Sequence, residues 1–167
     1  MSQTKFTNVV LASAALSALH VLAYFVHRKL SQKHQALLPN LTFLKIQLSC
    51  IRLPLGSTVF PSKGRFFSTT YTEEEISIVC ESEYIPQTTA SSSESKIESD
   101  WVMFKVEGPL DFALIGILSH LSSLLARKYI SIFAISTYDT DYVMLKSDQK
   151  AQAIKALRDS GYAVREE

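Results

Sequence analysis

Two aspartates one residue apart, Asp139 and Asp141, stand in the polar run Ser136-Thr137-Tyr138-Asp139-Thr140-Asp141, and a third, Asp111, follows Gly108-Pro109-Leu110. Carboxylates spaced in this way have three uses. They receive an ammonium or guanidinium head, they ligate Mg²⁺ for a phosphate substrate, or they close a turn by bonding to their own backbone. The Mg²⁺ chemistry lacks its other parts, because no glycine loop that would cradle a phosphate accompanies the pair. There is also no nucleophile elbow with a Ser-His-Asp set, no GxGxxG and no HExxH. Cys50 and Cys80 are the only cysteines, lie in apolar runs and have no ligand spacing, so they are expected as reduced core residues. These exclusions point to a protein with no catalytic residues, no metal and no cofactor. Ligand contact and turn chemistry both stay open for Asp139 and Asp141.

The elements that must position these residues follow from hydrophobic period. Residues 101–106 read as a strand, and Glu107-Gly108-Pro109 turns it. Asp111 is placed to cap a helix over 112–127, on which Leu114, Ile117, Leu118, Leu121, Leu124 and Leu125 form one stripe. His120 falls on the opposite, serine-rich face and is expected to be idle. Residues 129–136 are a β-branched and aromatic strand, 137–140 a turn, and 141–146 the returning strand. Ser147 or Asp148 caps a second helix carrying Ala151, Ile154 and Leu157, Gly161 ends it, and 162–164 make a last strand. The order βαββαβ predicts an α+β, ferredoxin-like unit over 101–165. Its sheet would have four antiparallel strands with both helices on one face.

Upstream, residues 40–86 read as a mostly β half. A long strand runs over 41–53, a second over 65–70 and a third over 76–80, with Thr72 to Glu75 as a turn or capping box. Residues 87–100 are small and polar and predict a linker between the two halves. Net charge is +1, which gives no case for a nucleic-acid partner. The charge is unevenly spread, since nothing acidic precedes Glu73.

Within residues 1–39, the stretch 9–26 is apolar but for Ser13, Ser17 and His20. As a helix it would run about 27 Å, close to the hydrocarbon thickness of a bilayer. His27, Arg28, Lys29 and Lys33 follow it, against Lys5 before it. The expectation is a single-pass membrane anchor with the rest of the chain facing the cytosol. The alternative is a cytoplasmic protein in which this hydrophobic helix packs on the domain.

Three segments carry a family likeness: Gly108-Pro109-Leu110-Asp111-Phe112, Gly116-Ile117-Leu118, and Ile135 through Tyr142. They resemble the hallmark segments of the ACT domain subfamily that includes the CASTOR arginine sensors. The first half resembles the degenerate ACT-like half that precedes the standard one in that subfamily. The resemblance implies a non-catalytic regulatory module that binds a small molecule, typically an amino acid, and pairs with a second copy through its ACT units. It places the ligand where the turn after the first strand meets the start of the first helix. The residues implied are Leu110, Asp111, Phe112 and Gly116 from that turn, Thr137, Tyr138, Asp139 and Asp141 from the hairpin, and Ser77 and Ile78 from the first half. A helix N-terminus suits an α-carboxylate, and the two aspartates suit an ammonium or a basic head. The sensors use four ACT-like units and this chain has two, so the site lies between two chains or between the two halves of one. The rival expectation is a membrane-tethered interaction or dimerisation module without a ligand.

Overall fold

The computed structural model describes residues 38–90 and 92–167. The apolar stretch 9–26 lies outside these residues, as do all the flanking charges of the predicted anchor segment. Among the described residues no helix is long and apolar enough to cross a membrane.

The fold is built on one long strand. β5 (Lys96–Val106) is lined on one edge by β1 (Leu41–Phe43) and β2 (Leu48–Leu53), and on the other by β7 (Asp141–Lys146). β4 (Ile76–Glu81) and β3 (Phe67–Tyr71) continue the sheet beyond β2. β6 (Phe133–Ser136) continues it beyond β7, and β8 (Val164–Glu166) lies parallel to β1. The result is a single eight-stranded sheet, so the two predicted halves share one layer. Helix α1 (Gln87–Ala90) is a single turn, and α2 (Ile117–Ala126) and α3 (Lys150–Asp159) pack against each other.

Several predicted boundaries change. The linker ends at Lys96, not at 100, because Ile97 and its neighbours pair with β2. The polar composition of that stretch hid a strand whose side chains are largely exposed. The expected strand over 41–53 does follow one edge of β5, but it swells at residues 44–47. There it exchanges neighbours on its far side, from β8 to β4. A second irregularity sits opposite, where Ser49 faces the Ser99–Asp100 step and Asp100 takes a positive φ of 66°. This is the signature of a β-bulge. The buried Ser49 hydroxyl is satisfied there by the hydroxyls of Ser82, at 2.8 Å, and Ser99, at 3.0 Å.

The four-stranded antiparallel sheet expected for 101–165 is also modified. β8 does not pair with β5. β1 stands between them, antiparallel to one and parallel to the other.

Alternation along β5 and β7 gives the sheet two apolar faces. Met103 and Met144, directly opposite in register and fully buried, cluster with Ile46, Leu48 and Val79. No helix residue belongs to that cluster. Leu44, Phe66, Trp101 and Tyr142 pack over it instead, so the face away from the helices is covered by the segments before β2 and β3. On the helices, burial falls on Leu121, Leu124 and Leu125 and on Ala153, Ile154, Ala156 and Leu157. Leu114 and Ala151, predicted in the stripes, are exposed, since Leu114 precedes α2 and Ala151 lies on the outer face of α3. Cys50 and Cys80 are free, as expected.

Candidate functional site

Two tight turns meet beside the start of α2. The β6–β7 turn closes on itself, with the Thr137 N–H donating to the Thr140 carbonyl at 2.8 Å and the Thr137 hydroxyl donating to the same oxygen at 3.0 Å. Thr140 is buried, and its hydroxyl donates to the Val106 carbonyl at the end of β5. The chain then turns through a cis Gly108–Pro109 bond, and the Leu110 N–H donates to the Asp139 carbonyl at 2.8 Å. A Cβ at Gly108 would stand 2.7 Å from that same carbonyl oxygen, so only glycine lets the two turns approach this closely.

Asp111 does not cap the helix. Its carboxylate accepts the Ala113 N–H at 2.8 Å and its carbonyl accepts the Leu114 N–H at 2.9 Å, which makes a local turn. The helix expected from residue 112 starts at Ile117, after Gly116 reverses the chain at φ 86°. The bond from Leu110 to Asp139 keeps the intervening loop over the hairpin, and a helix begun at Phe112 would carry it away. The first intrahelical bond is His120 N–H to the Gly116 carbonyl at 2.9 Å, and Gly116 offers no side-chain cap. The amides of Ile117, Leu118 and Ser119 therefore precede the ladder, and the Asp111 carboxylate that would compete for them is used elsewhere.

Between these parts lies a cleft of about 330 Å³, lined by residues 110–112, 114, 116–119 and 136–141. Eight of the ten residues expected at the site converge on it: Leu110, Asp111, Phe112, Gly116, Thr137, Tyr138, Asp139 and Asp141. Ser77 and Ile78 do not. Ile78 is fully buried, and Ser77 faces a separate depression with Cys50, Arg52 and Lys96. They sit on β4, two strands away from β5 across β2.

The charge of the cleft is one-sided. Three aspartates line it and no lysine or arginine does. Asp141 is held by the Ser136 hydroxyl, which donates at 2.5 Å across the β6–β7 pair. At the mouth, Phe112 and Tyr138 meet edge to face with centroids 5.3 Å apart, and they are 75% and 82% exposed. Ser136 and Thr140, within the polar run 136–141, also line the cleft, and so does Ser119, which no sequence signal marks as a site residue. Ser136 had a usable signal, since it lies directly across a four-residue turn from Asp141. His120, expected to be idle, bonds through Nδ1 to the hydroxyl of buried Tyr162 at 2.7 Å, outside the cleft. Burial pushes the Tyr162 phenol up to about 12.

Residues 96–159 match the family model of the ACT domain. The chain carries an ACT domain. A second model, described as an N-terminal domain, matches residues 60–88. No curated protein matches the chain. Among solved structures, the ACT domain and its N-terminal half resemble a protein of Agobacterium tumefaciens at 29% identity and a TM-score of 0.69, covering 77% of this chain and 93% of that one. A Vibrio cholerae protein of unknown function, described as a possible transport protein, aligns at 15% identity and a TM-score of 0.54, over 78% and 96% of the two chains. Aspartokinase III of E. coli, solved in complex with aspartate and ADP, aligns at 9% identity and a TM-score of 0.53, over 72% of this chain and 32% of the enzyme. These last two likenesses are of fold. The family model begins at Lys96, in agreement with the early start of β5.

Proposed function

We propose that this protein is a non-catalytic regulatory module that binds a small amino acid in the cleft between residues 110–119 and 136–141, in the manner of CASTOR-like ACT proteins. One observation carries the reading: eight residues chosen from the resemblance line a single cleft of about 330 Å³, within the size range of small-molecule pockets. The amides of Ile117 to Ser119 and the positive end of α2 suit an α-carboxylate. Asp139 and Asp141, on the opposite wall, suit the α-ammonium or a basic side chain. With no cation in the lining, acidic amino acids are disfavoured. Eight of the ten expected residues come from one ACT domain, without Ser77 or Ile78, which supports a cleft formed by a single half of the chain.

A screen of the twenty amino acids by thermal shift tests this. A ligand at 100 times its dissociation constant stabilises by about 2.7 kcal/mol. Asp141→Ala is expected to fold, since its partner Ser136 is exposed, and to lose the response. If no amino acid at millimolar concentration moves the wild-type transition, the binding reading fails.

The second reading is a dimerisation module without ligand. The outer edge of β6 supports it, because among the described residues that strand pairs only with β7, and its four residues carry no charge or proline to protect it. In this reading residues 9–26 tether the module to a membrane from the cytosolic side, and a glycan on Asn40 in secretory-pathway expression would refute that orientation.

A further inference from the structure

A second pocket lies on the sheet face away from the helices. Thr42, Lys105 and Tyr142 stand in register across β1, β5 and β7 and form its floor. Arg65 and Phe66, on the segment that covers this face, form its roof, with Phe66 edge to face against Tyr142 at 5.1 Å. The volume is about 240 Å³. The roof is fixed from behind. The buried Glu81 carboxylate accepts the backbone N–H groups of Arg65 and Phe66, and a Cβ on Gly64 would collide with Glu81 and stand 2.6 Å from the Tyr84 ring.

The pocket holds the carboxylate of the chain's own Glu167. Arg65 clasps it with two parallel bonds, Nη1 to Oε2 at 2.6 Å and Nη2 to Oε1 at 3.0 Å, and the Lys45 N–H donates to Oε2 at 3.3 Å. A bidentate fork of this kind is the geometry by which arginine recognises free carboxylates. Lys105 lies in the same pocket and makes a loose ion pair with Glu107, at 3.8 Å. Without Glu167 the pocket contains two cations against the single carboxylate of Glu107.

We propose that this pocket is a binding site for a small aliphatic carboxylate, and that Glu167 is its tethered occupant. The site is distinct from the cleft at α2 and does not depend on that cleft binding an amino acid. A tethered group competes at an effective concentration in the millimolar range. If Glu167 fills the cradle nine-tenths of the time, its removal raises the apparent affinity for a free carboxylate roughly tenfold. Arg65 holds the Glu167 carboxyl below the usual carboxylate range, so at neutral pH the competitor is fully charged.

The test uses the full chain and glutarate, whose end copies the Glu167 side chain, with neutral glutaramide as control. Calorimetric titration of E167Q should show glutarate binding about tenfold tighter than to wild type, no binding of glutaramide, and loss of binding in the double variant R65A/E167Q. Equal affinities in wild type and E167Q, or binding that survives the double variant, overturns the proposal. Should E167Q fail to fold, the Arg65 Nε resonance of the wild-type protein decides. It must move on adding excess glutarate while that of Arg52, which is paired with Glu75, stays in place, and an unmoved Arg65 signal refutes the site.

Discussion

Replacing Gly108 by alanine tests the contact on which the cleft depends. The new Cβ would lie 2.7 Å from the Asp139 carbonyl oxygen, 3.0 Å from the Leu110 nitrogen and 3.4 Å from the Thr140 Cβ. Ordinary C···O contacts are about 3.3 Å or longer, so the two turns must separate by roughly 0.6 Å. The two nearest atoms are backbone, and no side-chain rotation relieves the clash. Overpacking of this kind costs about 1–3 kcal/mol, and weakening the Leu110–Asp139 hydrogen bond adds about 1 kcal/mol. The expected loss is therefore about 2–4 kcal/mol, read from the urea midpoint at constant slope. Gly56→Ala is the control. Its φ of 84° costs about 1 kcal/mol, but nothing lies within 4 Å of the added methyl. G108A should also lose any amino-acid response that G56A keeps. A G108A protein within about 0.5 kcal/mol of wild type, with its response intact, would show that the turns do not abut and that the cleft walls are set by something else.

Leu121→Ala empties a fully buried position where α2 meets the core and should cost about 2–5 kcal/mol in the same assay, without a specific effect on either pocket. Burial raises both Cys50 and Cys80 to about 11, so at pH 8 a disulfide reagent should label neither until denaturant is added. Because the folded values lie above the ordinary 9.0, their contribution to stability is intact below pH 9 and is lost as pH rises towards 11. Denaturation midpoints that stay flat across pH 9–11 would contradict this.

Much of the second half was legible because its signals are local. The βαββαβ order, the turn at 137–140 and the strand from Asp141 to Lys146 all appear where apolar period and turn residues place them. Eight of the cleft residues are implied by the ACT resemblance, and they belong to two short segments that the fold brings together. Pairing partners were less accessible. Nothing in Leu41 to Phe43 announces that this strand wedges between β5 and β8, since the choice is made by distant residues, in Phe104 to Val106 and Val164 to Glu166. Residues 96–100 escaped notice because a strand with exposed side chains has no apolar alternation to display. Asp111 misled for a related reason. An aspartate ahead of an apolar run suits either a helix cap or a local turn, and only the bond from Leu110 to Asp139 decides between them. Ser77 and Ile78 rested on analogy with a four-unit architecture, and here they face a different part of the sheet.

The wedged position of β1 also governs how the molecule is made. Leu41 pairs with Val164, so a strand near the start of the described chain cannot find its parallel neighbour until the last strand has been synthesised. Contacts of such sequence separation form late and slow folding. A nascent chain must hold β1 against β5 with one edge bare until β8 has been synthesised. The ACT domain therefore draws on β1 to complete its sheet. A fragment starting at Lys96 would have an empty strand position between β5 and β8, where another chain's strand could enter.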